Sequence, residues 1–263
     1  PAPDVNTVHI ANRSERCQHG AMRKAADAPS KAGYHHGDLR RALLEAALAL
    51  VASRGVEAFS LREAAREVGV SPAAAYRHFA DKAALLTALA AEGMGRLAAA
   101  MEKALEHAPG APGTPARAVA DLAAVGTAYV EFAVRHPAHF GVMFGPWCPH
   151  EGLEALPPEV APRGRDPYQI LVYCLDALVA TGAMPGAARA GAELAAWSAV
   201  HGFAGLAVSE ALPLGPAERA AALGVVQRTV LQGLGCPASL LAPPPRAPDA
   251  DPRPPAARRA RRS

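Results

Sequence analysis

Aromatic side chains make up only 5% of the 263 residues, and no stretch shows the apolar and polar alternation of a half-buried strand. A β-sheet protein is thereby disfavoured, and the core has to come from Leu, Val and Ala on helices, with abundant Pro and Gly as punctuation. Cysteine is also scarce. Cys17, Cys148, Cys174 and Cys236 form no CxxC pair, which argues against a zinc ribbon, a redox motif or a disulfide scaffold and fits a reducing compartment. The opening "PAPDVNTVHIANRSE" has no apolar segment of signal type, and the longest apolar stretch, Leu194 to Ser209, is about 16 residues and contains His201. A bilayer span needs about 18 to 20, so neither export nor membrane insertion is expected and the cytoplasm is the expected location. There is no GxSxG, no HExxH, no Gly-rich phosphate loop and no carboxylate pair on an apolar face, so the chain reads as a non-enzyme without a cofactor. His136, His139, Cys148 and His150 lack the compact spacing of a metal site, and Pro137, Pro146 and Pro149 spread them apart.

With 51% hydrophobic against 19% charged residues, the chain has the balance of a globular protein, long enough for one large or two modest domains. The net charge of +3 is unevenly spread. Residues 1–82 carry 12 Lys and Arg against 9 Asp and Glu, residues 83–242 carry 9 against 13, and residues 243–263 carry 6 against 2. Only the two ends suit a polyanion. Residues 1–33 lack apolar periodicity and read as a disordered basic arm, and residues 241–263 as a disordered Pro- and Arg-rich tail. Between them the expected division is 34–82 and 83–240.

The periodicity predicts helices only. The first starts near Asp38 and ends at Gly55. The second starts at Ser60, with Glu63 completing a capping box, and stops at Gly69. Ser71 and Pro72 open the third, and Asp81 opens a fourth of about seven turns, carrying Leu85, Leu89, Leu97, Met101 and Leu105. Helices are then expected over Thr114–Arg135, His139–Phe144, Asp166–Gly182, Ala187–Leu212 and Pro216–Leu234, with a Pro/Gly-rich loop of about 20 residues after Phe144.

The stretch "SLREAAREVGVSPAAAYRHFADKAALL" joins two helices of about two turns through a Gly-containing turn. That is a helix-turn-helix, which places its second helix in the major groove of double-stranded DNA. Caps at Ser60 and Ser71 leave helix N–H groups for phosphate oxygens, and Tyr76, Arg77, His78 and Lys82 supply further donors.

Residues 34 to about 90, from "YHHGDLRRALLEAALALVASRG" onward, resemble the N-terminal domain of the TetR family of transcriptional regulators, whose signature is met by Tyr76, His78, Phe79 and Lys82. "HPAHFGVMF" and "WSAVHGFAGL" resemble the family's subgroup named for a Trp-His-Gly signature, here Trp197, His201 and Gly202. The resemblance implies an all-α fold: an N-terminal three-helix DNA-binding domain, then a larger helical ligand-binding and dimerisation domain. It implies phosphate contacts by Ser60, Tyr76, His78 and Lys82, with packing against the first helix as the alternative for Tyr76 and His78. Arg77 can meet guanine or a phosphate, whereas Ala73 and Ala74 can offer only thymine methyl contacts, which leaves DNA shape to carry part of the readout. Arg13, Arg16, Arg23, Lys24 and Lys31 of the arm reach DNA or are solvated, and Arg258, Arg259, Arg261 and Arg262 add non-specific affinity or solubility.

Tyr129, Phe140, Phe144, Tyr173, Trp197 and His201, with Phe132, Met143, Cys174 and Phe203, would together line an apolar pocket for a small-molecule effector, ordinary core packing being the alternative for each. The family's dimer forms through its last two helices, which here carry Leu206, Val208, Leu223, Val226 and Val230. A homodimer on a palindromic operator, most simply a repressor, is the resulting expectation. A ligand-independent or activating regulator, or a helical protein-interaction domain, are the alternatives. Gly93 and Gly95 within the fourth helix serve either as a hinge or for close helix packing.

Overall fold

Nine α-helices and two single 3₁₀ turns make up the regular structure in a computed structural model that describes residues 36–145, 164–209 and 211–241; no strand occurs among them. They are α1 (His36–Arg54), α2 (Leu61–Val68), α3 (Pro72–Tyr76), α4 (Lys82–His107), α5 (Pro115–Arg135), α6 (Pro137–Phe144), α7 (Pro167–Ala180), α8 (Ala192–Val208) and α9 (Pro216–Gly233). All lie in one unit that starts at His36. The arm and the loop at 146–163 fall outside the described residues, as does the tail but for Leu241, which is buried against the core.

Local chemistry sets the helix ends. Ser60 and Glu63 form the capping box of α2, and Gly69 ends that helix at φ 76°, a left-handed conformation that glycine adopts without a Cβ clash. The side chains of Ser71, Asp81 and Thr114 accept from backbone N–H groups in the first turns of α3, α4 and α5. Pro stands at the start of α3, α5, α6, α7 and α9, where no hydrogen bond is lost for want of its N–H.

Some boundaries differ from the sequence expectation, α6 starting at Pro137 ahead of His139 and α7 ending at Ala180 short of Gly182. α1 begins at His36, ahead of Asp38. The helix expected over Ala187–Leu212 is a 3₁₀ turn at Gly186–Ala188, a left-handed Gly191 and then α8, which stops at Val208. Apolar periodicity runs through this segment, but Arg189 sits between Asp176 of α7 and Glu193 of α8, 2.7 and 2.5 Å away, and fixes a corner there.

The helices enclose two hydrophobic cores. The first gathers Leu43, Ala47, Leu50, Phe59, Leu61, Ala75, Phe79, Leu85 and Leu89 around α1 to α3 and the start of α4. The second gathers Leu97, Met101, Val125, Tyr129, Ile170, Cys174, Leu178 and Phe203 from α4 to α8, together with Leu223 and Leu231 of α9. Two helices belong to both. α4 gives Leu85, Leu86, Leu89 and Ala90 to the first and Leu97, Ala98, Met101 and Leu105 to the second. α6 gives Ala138 and Val142 to the first, and Phe140 and Met143 to the second. Among the described residues α4 alone is long and apolar enough to cross a membrane, and half of that window is buried in the protein.

Between the two sets of leucines, Gly93 answers the choice left open by the sequence. A Cβ at Gly93 would stand 2.5 Å from Met143 Sδ and 2.8 Å from its Cγ, so here glycine lets α6 approach α4 closely. Met143 is fully buried but borders a cavity within the second core, so the far end of its flexible side chain has room to shift. Gly93→Ala should therefore displace the Met143 thioether toward the cavity at less than the about 1–3 kcal/mol of overpacking in a filled core, offset by the roughly 1 kcal/mol gained in helix propensity. The urea midpoint should change little, by the equivalent of less than about 1 kcal/mol; a fall equivalent to about 2 kcal/mol or more would mean that Met143 cannot move at this contact.

Candidate functional site

Two sites emerge, one on the outer face of α3 and one inside the second core. α3 is a five-residue helix, and consecutive residues step by about 100° around it. Ser71, Pro72, Ala73, Tyr76 and Arg77 are exposed, while Ala74 and Ala75 turn inward and Phe79 anchors the helix in the first core. Ala74, expected beside Ala73 at a thymine methyl, is 9% exposed and packs against the protein; Ala73 alone of the pair stands open. Tyr76 remains 45% exposed despite its size, and His78 is half-buried.

The expected phosphate ligands differ in how far they are already engaged. Ser60 Oγ accepts from Glu63 N at 3.3 Å and donates to Glu63 Oε2 at 3.1 Å, so its hydroxyl is consumed in the capping box and the backbone amides of α2 are what it leaves available. Ser71 Oγ accepts from Ala74 N at 3.3 Å, with its own proton not used in that bond. Lys82 Nζ donates to Glu57 O at 3.2 Å and lies 4.8 Å from the Phe59 ring centroid, tying the start of α4 to the α1–α2 turn. Sequence reasoning missed Arg40, whose guanidinium lies 5.3 Å from the Phe79 ring and brings a cation of α1 to the end of the helix-turn-helix. No local spacing could have shown it, because the contact depends on how α1 packs against the segment that follows α3.

The second site is a cavity of about 250 Å³. Its inner end is lined by buried Met101, Leu122, Val125 and Met143, and its outer end by Phe144, Asp166, Tyr168 and Trp197. Of the six residues expected there, Tyr129, Phe144 and Trp197 line it; Phe140 and His201 stand behind them in one continuous ring cluster. Tyr173 does not belong: it is 49% exposed on α7, under the Arg165 guanidinium at 4.5 Å, on a different face from its buried neighbour Cys174. Of the residues expected at the dimer face, Leu223 is buried in its own core, and Val208, Val226 and Val230 are partly buried against it, Val230 also lining the cavity. The exposed large apolar side chains of the last two helices are Leu194, Trp197, Leu206 and Val225, of which Trp197 lines the cavity.

Tyr129 is the polar centre of the cluster. The Trp197 indole N–H donates to its hydroxyl at 3.4 Å, which leaves the phenol proton for His201 Nδ1 at 2.8 Å. Burial pushes the Tyr129 phenol far above its ordinary range, so it stays protonated. Burial also holds His201 below the ordinary histidine range, as the acceptor role requires.

At the α4–α6 contact, His139 is 2% exposed and its Nε2 has no hydrogen-bond partner; the nearest carboxylate oxygen, Glu92 Oε1, is 3.9 Å away. Burial, reinforced by Arg96, lowers its pKa, and His136 is lowered for the same reasons with Arg135 added. A folded pKa below the unfolded value near 6.5 means that the unfolded chain takes up protons first as the pH falls. The associated stability is complete above about pH 6.5 and declines below it, by at most about 1.4 kcal/mol per pH unit for each histidine. The urea midpoint at pH 5.5 should lie below that at pH 7.5, and His139→Leu should flatten the difference; an unchanged difference would put its source elsewhere. Among the described residues no group of three His, Cys, Asp or Glu is placed to hold a metal, and Cys148 and His150 lie outside them.

Residues 43–89 match the sequence model of the bacterial regulatory proteins, tetR family. Residues 122–230 match that of the tetracyclin repressor-like, C-terminal domain, and the two together span more than half of the chain. A protein with unknown function from Rhodococcus sp. RHA1 is 34% identical, with a TM-score of 0.60 over 78% of this chain and 99% of its own. The TetR family transcriptional regulator PfmR from Thermus thermophilus is 26% identical, with a TM-score of 0.50 over 73% of this chain and 98% of its own. The fatty acid degradation regulator FadR from Bacillus halodurans, 16% identical with a TM-score of 0.54 over 79% and 100%, shares the fold. No curated protein matches the chain.

Proposed function

The chain belongs to the TetR family of transcriptional regulators, and we propose that it is a homodimeric repressor released from a palindromic operator by a small apolar or amphipathic effector. In this reading residues 34–82 bind DNA and residues 83–240 bind the effector and dimerise, with Trp197, His201 and Gly202 as the Trp-His-Gly signature of its subgroup. Ser71, Ala73, Tyr76 and Arg77 meet the operator; His78, Lys82 and the first turn of α2 at Ser60 grip phosphates on either side. One short α3 contacts too little DNA by itself, and two copies would place their recognition helices about 34–36 Å apart. Leu194, Ser198, Gly202 and Leu206 recur every fourth residue on an exposed strip of α8 and, with Val225 of α9, suit the face of a second copy.

The observation that carries the regulatory part is the position of α6. Val142, 1% exposed, packs in the first core, and the adjacent Met143, 0% exposed, lines the cavity. A molecule that displaces Met143 therefore pushes on the support of the DNA-binding helices. Coupling of about 1–3 kcal/mol would lower operator affinity 5- to 150-fold.

Fluorescence anisotropy against duplexes tiled across the DNA flanking the gene, at about 50 and about 200 mM salt, tests the reading. Tight binding to one palindromic tile that survives the higher salt is expected, with two protomers per tile. Weak binding to every tile, lost at the higher salt, would count against an operator there, and a monomer by light scattering would count against the dimer. An operator that no cavity ligand releases would leave a ligand-independent regulator.

A further inference from the structure

We propose that the cavity selects a cation: an amine or quaternary ammonium on an apolar body, with its positive end among Phe144, Tyr168 and Trp197 beside the Asp166 carboxylate. This rests on the effector reading above and adds the charge class of the ligand.

The hydrogen-bonding groups of the wall decide the sign. The Trp197 N–H is given to Tyr129, and the Tyr129 O–H to His201. The Gln227 amide nitrogen donates to Ala123 O at 2.8 Å and to Thr127 Oγ1 at 3.3 Å. These donors are thus spent within the protein. What remains open is mostly acceptor: Gln227 Oε1, and the second oxygen of Asp166, whose Oδ1 accepts from Gln169 N at 2.8 Å. The Tyr168 hydroxyl can act either way. No Lys, Arg or His lines the cavity among the described residues. The nearest guanidinium in sequence, Arg165, is directed to Glu102 through bonds of 2.9 and 3.0 Å and is stacked on Tyr173. A carboxylate ligand would enter with few donors to receive it and a carboxylate beside it.

The aromatic groups point to the same sign. Trp197 lies 6.3 Å from Phe144 and 6.4 Å from Tyr168 between ring centroids, the first pair tilted and the second edge-to-face, so three rings converge at the outer end of the cavity. Tyr168 is 53% and Trp197 41% exposed there, which is unusual for rings of that size unless something else covers them. Aromatic faces with an adjacent carboxylate are a recognised host for ammonium groups, because the ring quadrupole is negative over the face. The inner end, lined by Leu122, Val125 and Met143, takes the apolar body.

Decyltrimethylammonium, decanol and decanoate share a chain and differ in head charge, so titration calorimetry of the full-length protein with each, below its micellar concentration, reads the preference directly. The cation is expected to bind about tenfold more tightly than decanol, with decanoate weakest. Asp166→Asn keeps the helix cap, since Asn and Asp cap equally well, and should remove most of the cation's advantage while leaving decanol unchanged. Decanol or decanoate binding as tightly as the cation, or a cation preference untouched in Asp166→Asn, would overturn this inference and leave the pocket reading standing. If none of the three bound, the pocket reading would fall and this inference with it.

Discussion

Ala73→Glu is expected to weaken operator binding by about 100-fold and to leave the protein as stable as before. Ala73 is exposed in the first turn of α3, on the side of Arg77 one turn on. A carboxylate there meets the phosphate backbone of the operator, and apposed like charges cost several kcal/mol; about 3 kcal/mol corresponds to roughly 100-fold. The same carboxylate near a helix N-terminus is mildly favourable to the fold, by about 0.3–1 kcal/mol, so thermal unfolding should be unmoved or slightly later. Ala75→Glu is the control in the opposite sense: at 0% exposure it would place an unpaired charge in the first core and lower stability by several kcal/mol before any DNA is added. Ala73→Glu that holds the operator as tightly as the parent would remove α3 from the DNA interface and place the operator contacts elsewhere on the protein.

The contrast between these two alanines also shows where sequence reasoning loses resolution. The ends of α2, α3 and α4 were legible because Ser60 with Glu63, Gly69, Ser71 and Asp81 act over three or four residues, a range the sequence displays directly. The pairing of Trp197 with His201 was legible for the same reason, being one helical turn. In the run Ala73, Ala74, Ala75 every side chain is the same, so composition cannot say which faces inward; Phe79, held in the first core, decides it. Tyr173 failed as a pocket residue for a related reason. It adjoins Cys174, and one step along a helix turns about 100°, from a fully buried to a half-exposed position. The hydrogen bond from Tyr129 to His201 joins residues 72 apart in the chain, and Gln227 reaches Ala123 across 104. Such contacts follow from α5 packing on α8 and α9, which no window of sequence contains. Gly93 was legible as a special position but not as a particular one, since a hinge and a close approach both ask for the absence of a side chain.

Arg165→Ala is expected to destabilise the protein by about 3 kcal/mol, at the low end of what breaking a buried ion pair costs because the arginine is itself partly exposed. Arg165 Nε and Nη2 donate in parallel to the two carboxylate oxygens of Glu102 at 2.9 and 3.0 Å, and Glu102 is only 7% exposed on α4. Removing the guanidinium leaves that carboxylate in the second core without its two-pronged partner. Deleting the charge as well should therefore restore stability, and Glu102→Gln combined with Arg165→Ala is expected to recover more than half of the loss in a urea-denaturation cycle. The bridge also matters for the cavity, because Arg165 immediately precedes Asp166 and Tyr168 at its outer end. At a temperature where Arg165→Ala is still folded, ligand affinity should fall while operator affinity stays as it was, since none of these residues belongs to the first core. A loss below about 1 kcal/mol would show that solvent already screens the pair in the native protein, and an unchanged ligand affinity would show that the cap of α7 at Asp166 and Gln169 holds the outer end without it.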